Sequence, residues 1–181
     1  MIDETHLRHA VRRQTGGVDR LLVPHRRPPA GVALDSRLAL LWIHGGGLVI
    51  GGAAQDDRFC AETARELGIT VVSAEYRLAP EHPYPAALVQ RLYDEGERPR
   101  AQWLFCPMLD DRTAARRGLD GAGPRVWDNR LNRFGWRAYL GTEPGAPVVP
   151  HYAVPARRDD VAGLPDTWIG VGDIDLFHDE T

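Results

Sequence analysis

A chain of 181 residues, 43% apolar and 26% charged, has the composition of an ordinary globular protein with enough length for one real core. Its net charge of −3, from 22 basic and 25 acidic residues, argues against nucleic acid or an anionic membrane surface as the main partner. All the basic residues are arginine, and they are scattered among the acids as on a solvated surface.

Cys60 and Cys106 have neither metal-ligand spacing nor the makings of a disulfide framework; both are expected as buried free thiols, with no metal and no cofactor. The N-terminus lacks an apolar h-region, and the run Leu38–Ile43 is far too short to span a bilayer, so a cytoplasmic protein is expected.

In chain order, Ile2 to Arg13 reads as a short helix and Val18 to Val23 as a strand, followed by a loop at Pro24–Pro29 where prolines cannot continue a ladder. Leu38–Ile43 is apolar on both faces, which predicts a short buried strand. It breaks into His44-Gly45-Gly46-Gly47, three consecutive residues without Cβ whose N–H groups a ligand oxygen can approach closely. Gln55-Asp56-Asp57 offers an N-cap and first-turn acids. Phe59, Cys60, Thr63, Ala64 and Leu67 then recur at helical spacing, and Gly68 supplies the stop. Ile69–Ala74 is a second buried strand, so the stretch is a βαβ unit of a parallel sheet. The prolines at 80, 83 and 85 predict an extended, rigid segment, with a helix from Leu88 to Glu95. Trp103–Cys106 reads as a third buried strand and residues 112–126 as a mobile surface loop. Asp128 and its neighbours can cap a helix running to Leu140, with Leu131, Phe134, Trp136 and Tyr139 as its apolar positions. Gly145–Pro155 is loop, and Thr167–Val171 is the fourth strand, from whose C-terminal end Asp175 emerges.

HGGGLVIGG at 44–52, SAEYRLAPEHPYPAAL at 73–88, QWLFCPMLDDR at 102–112 and GLPDTWIGVGDIDLFHDE at 163–180 together resemble the hormone-sensitive-lipase-like, or family IV, carboxylesterases of the α/β-hydrolase fold. The helix WDNRLNRFGWRAYLG at 127–141 is similar to the family's helix in the same place. The resemblance implies a mostly parallel sheet with flanking helices, in a single domain over 1–181. It also implies carboxylic-ester hydrolysis through an acyl-enzyme, with a small ester or apolar acyl group as ligand. By the same resemblance, Gly45, Gly46 and Gly47 are the oxyanion-hole glycines that hold the negative oxygen of a tetrahedral intermediate, and His44 is a structural member of that loop. Asp175 matches the triad acid that orients a histidine, and its place beyond the C-terminal end of a strand is where open parallel sheets put their sites.

Two parts of that machinery have no counterpart. The nucleophile elbow G-x-S-x-G should stand between PYPAA and QWLFCP, but only residues 88–101 separate them, whereas a helix, strand, elbow and helix need about 40–50 residues. Ser36 and Ser73, the two serines of the chain, lie in no such motif. The family's catalytic histidine follows a further helix and strand past the triad acid, whereas His178 stands too close to Asp175 to serve as its oriented partner. His82 and His151 read as surface or structural residues. Cys106 would need a base and an activating environment to act as nucleophile. The expectation is a family member without the elbow strand and the last strand, without nucleophile or base, and inactive as it stands. The alternatives are a non-catalytic remnant that binds a small ligand or a partner protein, and a gene-prediction error.

Overall fold

The computed structural model describes residues 21–22, 38–82, 92, 94–96, 98–121 and 126–180. The expected N-terminal helix, the loop at 24–29, Ser36 and most of the expected helix at 88–95 lie outside them. The chain divides into two compact units, Met1–Gly46 with Ile50–Arg77, and Gly47–Val49 with Leu78–Thr181.

In the first unit, strands β1 (Leu21–Leu22), β2 (Ala39–Ile43) and β3 (Thr70–Ala74) form a sheet in the order β1-β3-β2. β2 and β3 run parallel, Ala39 opposite Thr70 through to Ile43 opposite Ala74, and helix α1 (Asp57–Leu67) joins them as the βαβ reading requires. β1 pairs antiparallel with β3. Cys60 and Ala64 of α1 bury against Val71, with Leu40, Trp42 and Ile69 packed around them. Gly68, left-handed at φ 64°, ends α1 with its N–H on the Ala64 carbonyl.

Two expectations change here. Asp56 stands at the N-cap and Asp57 in the first turn, as read, but the Asp56 carboxylate makes no capping bond; it accepts the Trp42 indole N–H at 2.8 Å, and a 3-10 turn over Ala53–Asp56 leads into the helix. β2 is half-buried rather than buried on both faces, with Ile43 46% exposed, because it lies at the edge of its sheet.

In the second unit, β4 (Ala101–Phe105) and β5 (Asp166–Gly170) form a two-stranded parallel sheet in which Trp103 stands opposite Trp168 and Phe105 opposite Gly170. Trp136, Tyr139 and Leu140 of helix α3 (Asn129–Leu140) make the core with Ala79, Ala114, Ala153 and Val154. Leu78–His82 turns back on itself, His82 N–H donating to the Leu78 carbonyl at 3.0 Å, where the prolines suggested an extended run.

Three further corrections concern this unit. β4 alternates exposed and half-buried residues, and Trp103, Phe105 and Trp168 are each more than half exposed, because a two-stranded sheet covers neither face by itself. Cys106, just past β4, is exposed rather than buried. Residues 112–126 are not one loop: helix α2 (Asp111–Ala115) and a 3-10 turn (Arg117–Gly121) occupy most of it. On α3 the buried face is Asn129, Asn132, Gly135, Trp136, Tyr139 and Leu140, while Leu131 and Phe134 face out. No helix among the described residues is long and apolar enough to cross a membrane.

Candidate active site

The chain leaves β2 at Ile43 and enters the glycine loop through a side chain held on three sides. His44 is 2% exposed; its ring stacks on Tyr76 with centroids 4.2 Å apart and planes 16° from parallel. Its Nδ1 lies 2.9 Å from the Gly45 carbonyl oxygen, to which it can donate. Nε2 then faces Glu75 Oε1 at 3.6 Å. The Tyr76 hydroxyl donates to the His44 carbonyl at 3.0 Å, and the second Glu75 oxygen accepts the Ala53 N–H at 2.9 Å. Burial, and then the Glu75 charge, push the Tyr76 hydroxyl up to about 12. Tyr76 and Glu75 come from the EYRLAP stretch directly after β3, the strand paired with β2.

The glycines are required by space as well as by backbone angle. Gly46 sits at φ 137°, and a Cβ there would fall 1.8 Å from the Ile50 carbonyl oxygen, in the turn closed by Ile50 N–H on Gly46 O at 3.0 Å. Gly47, at φ 58°, belongs to the second unit, and a Cβ on it would lie 2.0 Å from the Trp127 ring. Leu48 follows at φ 70°, its carbonyl accepting the Ala79 N–H at 3.0 Å. Among the described residues, no acceptor takes the N–H of Gly45, Gly46 or Gly47.

Asp175 lies in the turn that follows β5. Its Oδ1 accepts the Phe177 N–H at 2.8 Å, and its carbonyl accepts the His178 N–H at 3.2 Å. The neighbouring side chain is Cys106, tied to β5 through its N–H on the Gly170 carbonyl at 2.8 Å. Desolvation, and then the nearby Asp175 carboxylate, push that thiol up, the opposite of what a nucleophilic cysteine needs. The His178 ring turns to Asp179, Nδ1 3.3 Å from Oδ1, and the His151 ring lies against Tyr152 with centroids 3.8 Å apart. Ser73 is fully buried within β3. The structure thus joins His44, Gly45 and Gly46 to Glu75 and Tyr76, Gly47 to Trp127 and Gly135, and Asp175 to Cys106, and it places no described histidine ring against Asp175.

Sequence reasoning did not single out Glu75, Tyr76, Trp127, Gly135 or Glu180. Glu180 Oε2 accepts the N–H groups of Leu109 and Asp110 at 2.8 and 3.0 Å, pinning the segment that leads from β4 to α2, and burial pushes this carboxyl up. Asp111, fully buried, takes a two-pronged contact from Arg157 and the Gly145 N–H at 2.7 Å. Motif membership was the available signal for Glu75 and Tyr76, because both stand in the most specific stretch of the resemblance.

A family model described as alpha/beta hydrolase fold matches the chain in two stretches, residues 40–92 and 86–181. Among curated proteins, the chain is similar to a carboxylic ester hydrolase, LipN, of Mycobacterium tuberculosis, 27% identical over 86% of this chain and 52% of the relative. Esterase LipI of the same organism is 28% identical over 78% of this chain and 56% of its own length. The chain therefore spans about half the length of these curated relatives. Among solved structures, a bacterial heroin esterase superposes with a TM-score of 0.72 at 32% identity, covering 85% of this chain and 61% of that one. The esterase LipW from Mycobacterium marinum gives 0.69 at 28% identity, covering 97% and 70%.

Proposed function

The chain belongs to the alpha/beta hydrolase fold family, in the hormone-sensitive-lipase-like group that its motifs indicated, and from that premise we propose that it carries the oxyanion-binding part of a carboxylesterase site without the nucleophile. It binds the carboxylate or acyl oxygen of short-to-medium acyl groups and turns over no ester. The observation that carries this reading is the row of three amides, Gly45 to Gly47, with no acceptor among the described residues, on a loop clamped by His44, Tyr76 and Glu75. Amides prepared in this way stabilise charge on an oxygen without having to reorganise. They accelerate nothing unless a nucleophile builds that charge, and no serine of the 181 residues stands in a G-x-S-x-G elbow. The two stretches of the family match overlap at 86–92, across the start of the interval where the elbow was expected, which supports an internal loss there.

Incubation with p-nitrophenyl butyrate and a serine-directed phosphonate tests the claim. The expected result is no turnover above buffer and no mass adduct. Stoichiometric labelling of any side chain with measurable turnover would overturn it. In parallel, titration with butyrate, read by amide NMR, is expected to shift the Gly45, Gly46 and Gly47 signals.

A further inference from the structure

We infer that Trp127 and Gly135 are positioning residues for the Gly47 amide, an inference that rests on the oxyanion reading of the loop. Gly47 is the member of the glycine row that belongs to the second unit, and two residues of that unit close around it. On one side, three atoms of the Trp127 six-membered ring lie 2.0, 2.3 and 2.8 Å from where a Gly47 Cβ would stand, so the indole packs directly on the Gly47 Cα. On the other, the Gly47 carbonyl oxygen lies 2.8 Å from where a Cβ on Gly135 would stand. Gly135 is on the buried face of α3, and the same missing Cβ would come within 3.4 Å of the Trp127 ring and 3.7 Å of the Met108 methyl. The indole thus touches a glycine of the loop and a glycine of the helix.

The placement of Trp127 follows from the cap of α3. Asp128, the next residue, accepts the N–H groups of Arg130 and Leu131, both at 2.9 Å, which sets the angle at which the chain enters the helix. The indole nitrogen is buried and donates to nothing among the described residues, so packing rather than a hydrogen bond orients the ring. Beyond Gly47, the Leu48 carbonyl is held by the Ala79 N–H, and Leu48 and Val49 pack on the core that contains Trp136 and Tyr139. With the Gly47 Cα pressed by the indole, its carbonyl seated on Gly135 and the next residue anchored, α3 holds the Cα end of the Gly46–Gly47 peptide, the one that carries the Gly47 N–H; the carbonyl of that peptide, Gly46 O, accepts the Ile50 N–H at 3.0 Å. The Gly45 and Gly46 N–H groups sit on peptides held elsewhere, the first through the His44 carbonyl on the Tyr76 hydroxyl, the second through the Gly45 carbonyl facing His44 Nδ1 and the Gln55 amide.

The test compares wild type with Gly135→Ala, Trp127→Leu and Trp127→Phe by NMR of the Gly45, Gly46 and Gly47 amides and Hα protons, alone and with butyrate. In wild type the Gly47 Hα is expected to be shifted strongly upfield by the indole ring current. Trp127→Leu removes that shift, and Trp127→Phe keeps part of it. In Gly135→Ala and Trp127→Leu the Gly47 amide is expected to lose its response to butyrate, while Gly45 and Gly46 keep theirs. Unchanged Gly47 signals and an unchanged response in two folded variants would overturn the positioning role. If wild type itself shows no butyrate response at any of the three amides, the oxyanion reading fails; the positioning role is then decided by the Gly47 shifts and amide exchange alone. Should Gly135→Ala not fold, the two Trp127 variants carry the test.

Discussion

Residue by residue, the glycine loop shows how one side chain can be read for stability and for pH response together. Tyr76 spans two functions: its ring stacks on His44 and its hydroxyl donates to the backbone of the loop. Removing the hydroxyl in Tyr76→Phe keeps the stack and is expected to cost about 1 kcal/mol in urea unfolding. The hydroxyl is raised to about 12 in the folded chain from an ordinary value near 10. An acid whose folded value is raised contributes fully below its unfolded value and loses that contribution as pH climbs through the folded one. Stability is therefore expected to fall between pH 10 and 12, by about 3 kcal/mol at most, and Tyr76→Phe should flatten that fall. Glu180 follows the same sign at lower pH: burial raises its carboxyl, so the wild type should lose ground to Glu180→Gln as pH rises through and above the ordinary glutamate range, checked by unfolding midpoints. At Gly46 the constraint is both spatial and conformational, since a Cβ would meet backbone at 1.8 Å and φ is 137°. Gly46→Ala should destabilise by about 2 kcal/mol or more, with the loop displaced.

Elements were legible where periodicity and glycine stops agreed, as in α1 with Gly68 and α3 with Gly141, both left-handed at their ends. They were illegible where burial depends on partners the sequence does not show. The apolar spacing of α3 picked out Leu131, Phe134, Trp136 and Tyr139; the structure buries Trp136 and Tyr139, but turns Leu131 and Phe134 outward and sets Asn129, Asn132 and Gly135 on the inner face. Asn129 earns no place by hydropathy; it is inside because its amide donates to the Arg116 carbonyl and to Asp120. Gly135 is inside because only a residue without Cβ leaves room for the Gly47 carbonyl. Likewise Asp111 looks like one more acid in a charged run, but it is fully buried and held by Arg157. Cutting that contact in Arg157→Ala leaves a buried charge unpaired and is expected to cost about 3–5 kcal/mol, measured by chemical denaturation. The N-cap is a milder case, and Asp128→Ala should cost about 1 kcal/mol.

For the whole molecule, the motifs identified the family and the βαβ unit, whereas strand burial was over-read. Leu38–Ile43 and Trp103–Phe105 have the unbroken apolar character of strands covered on both faces. That character reports the environment for which such sequences are suited, and the structure supplies only part of it. β2 lies at the edge of a three-stranded sheet and β4 in a sheet of two. The site divides in the same way. The glycine loop was legible because glycine at three successive positions has a steric cause, and so was the place of Asp175 in the turn past the end of a strand. Its neighbour Cys106 was not legible as a partner, since the approach depends on how β4 and β5 pair.

The open face of β4 and β5 has a practical consequence. Trp103, Phe105 and Trp168 lie on one side of it, the Phe105 and Trp168 rings 5.1 Å apart, each more than half in contact with solvent. Such a strip is adhesive, and it sets a ceiling on the concentration the chain tolerates before light scattering rises. Replacing Trp103 and Trp168 by serine should lift that ceiling and reduce uptake of a hydrophobic dye. In the wild type, the same two indoles should emit at long wavelength and be readily quenched by iodide, which gives the strip its own optical signal.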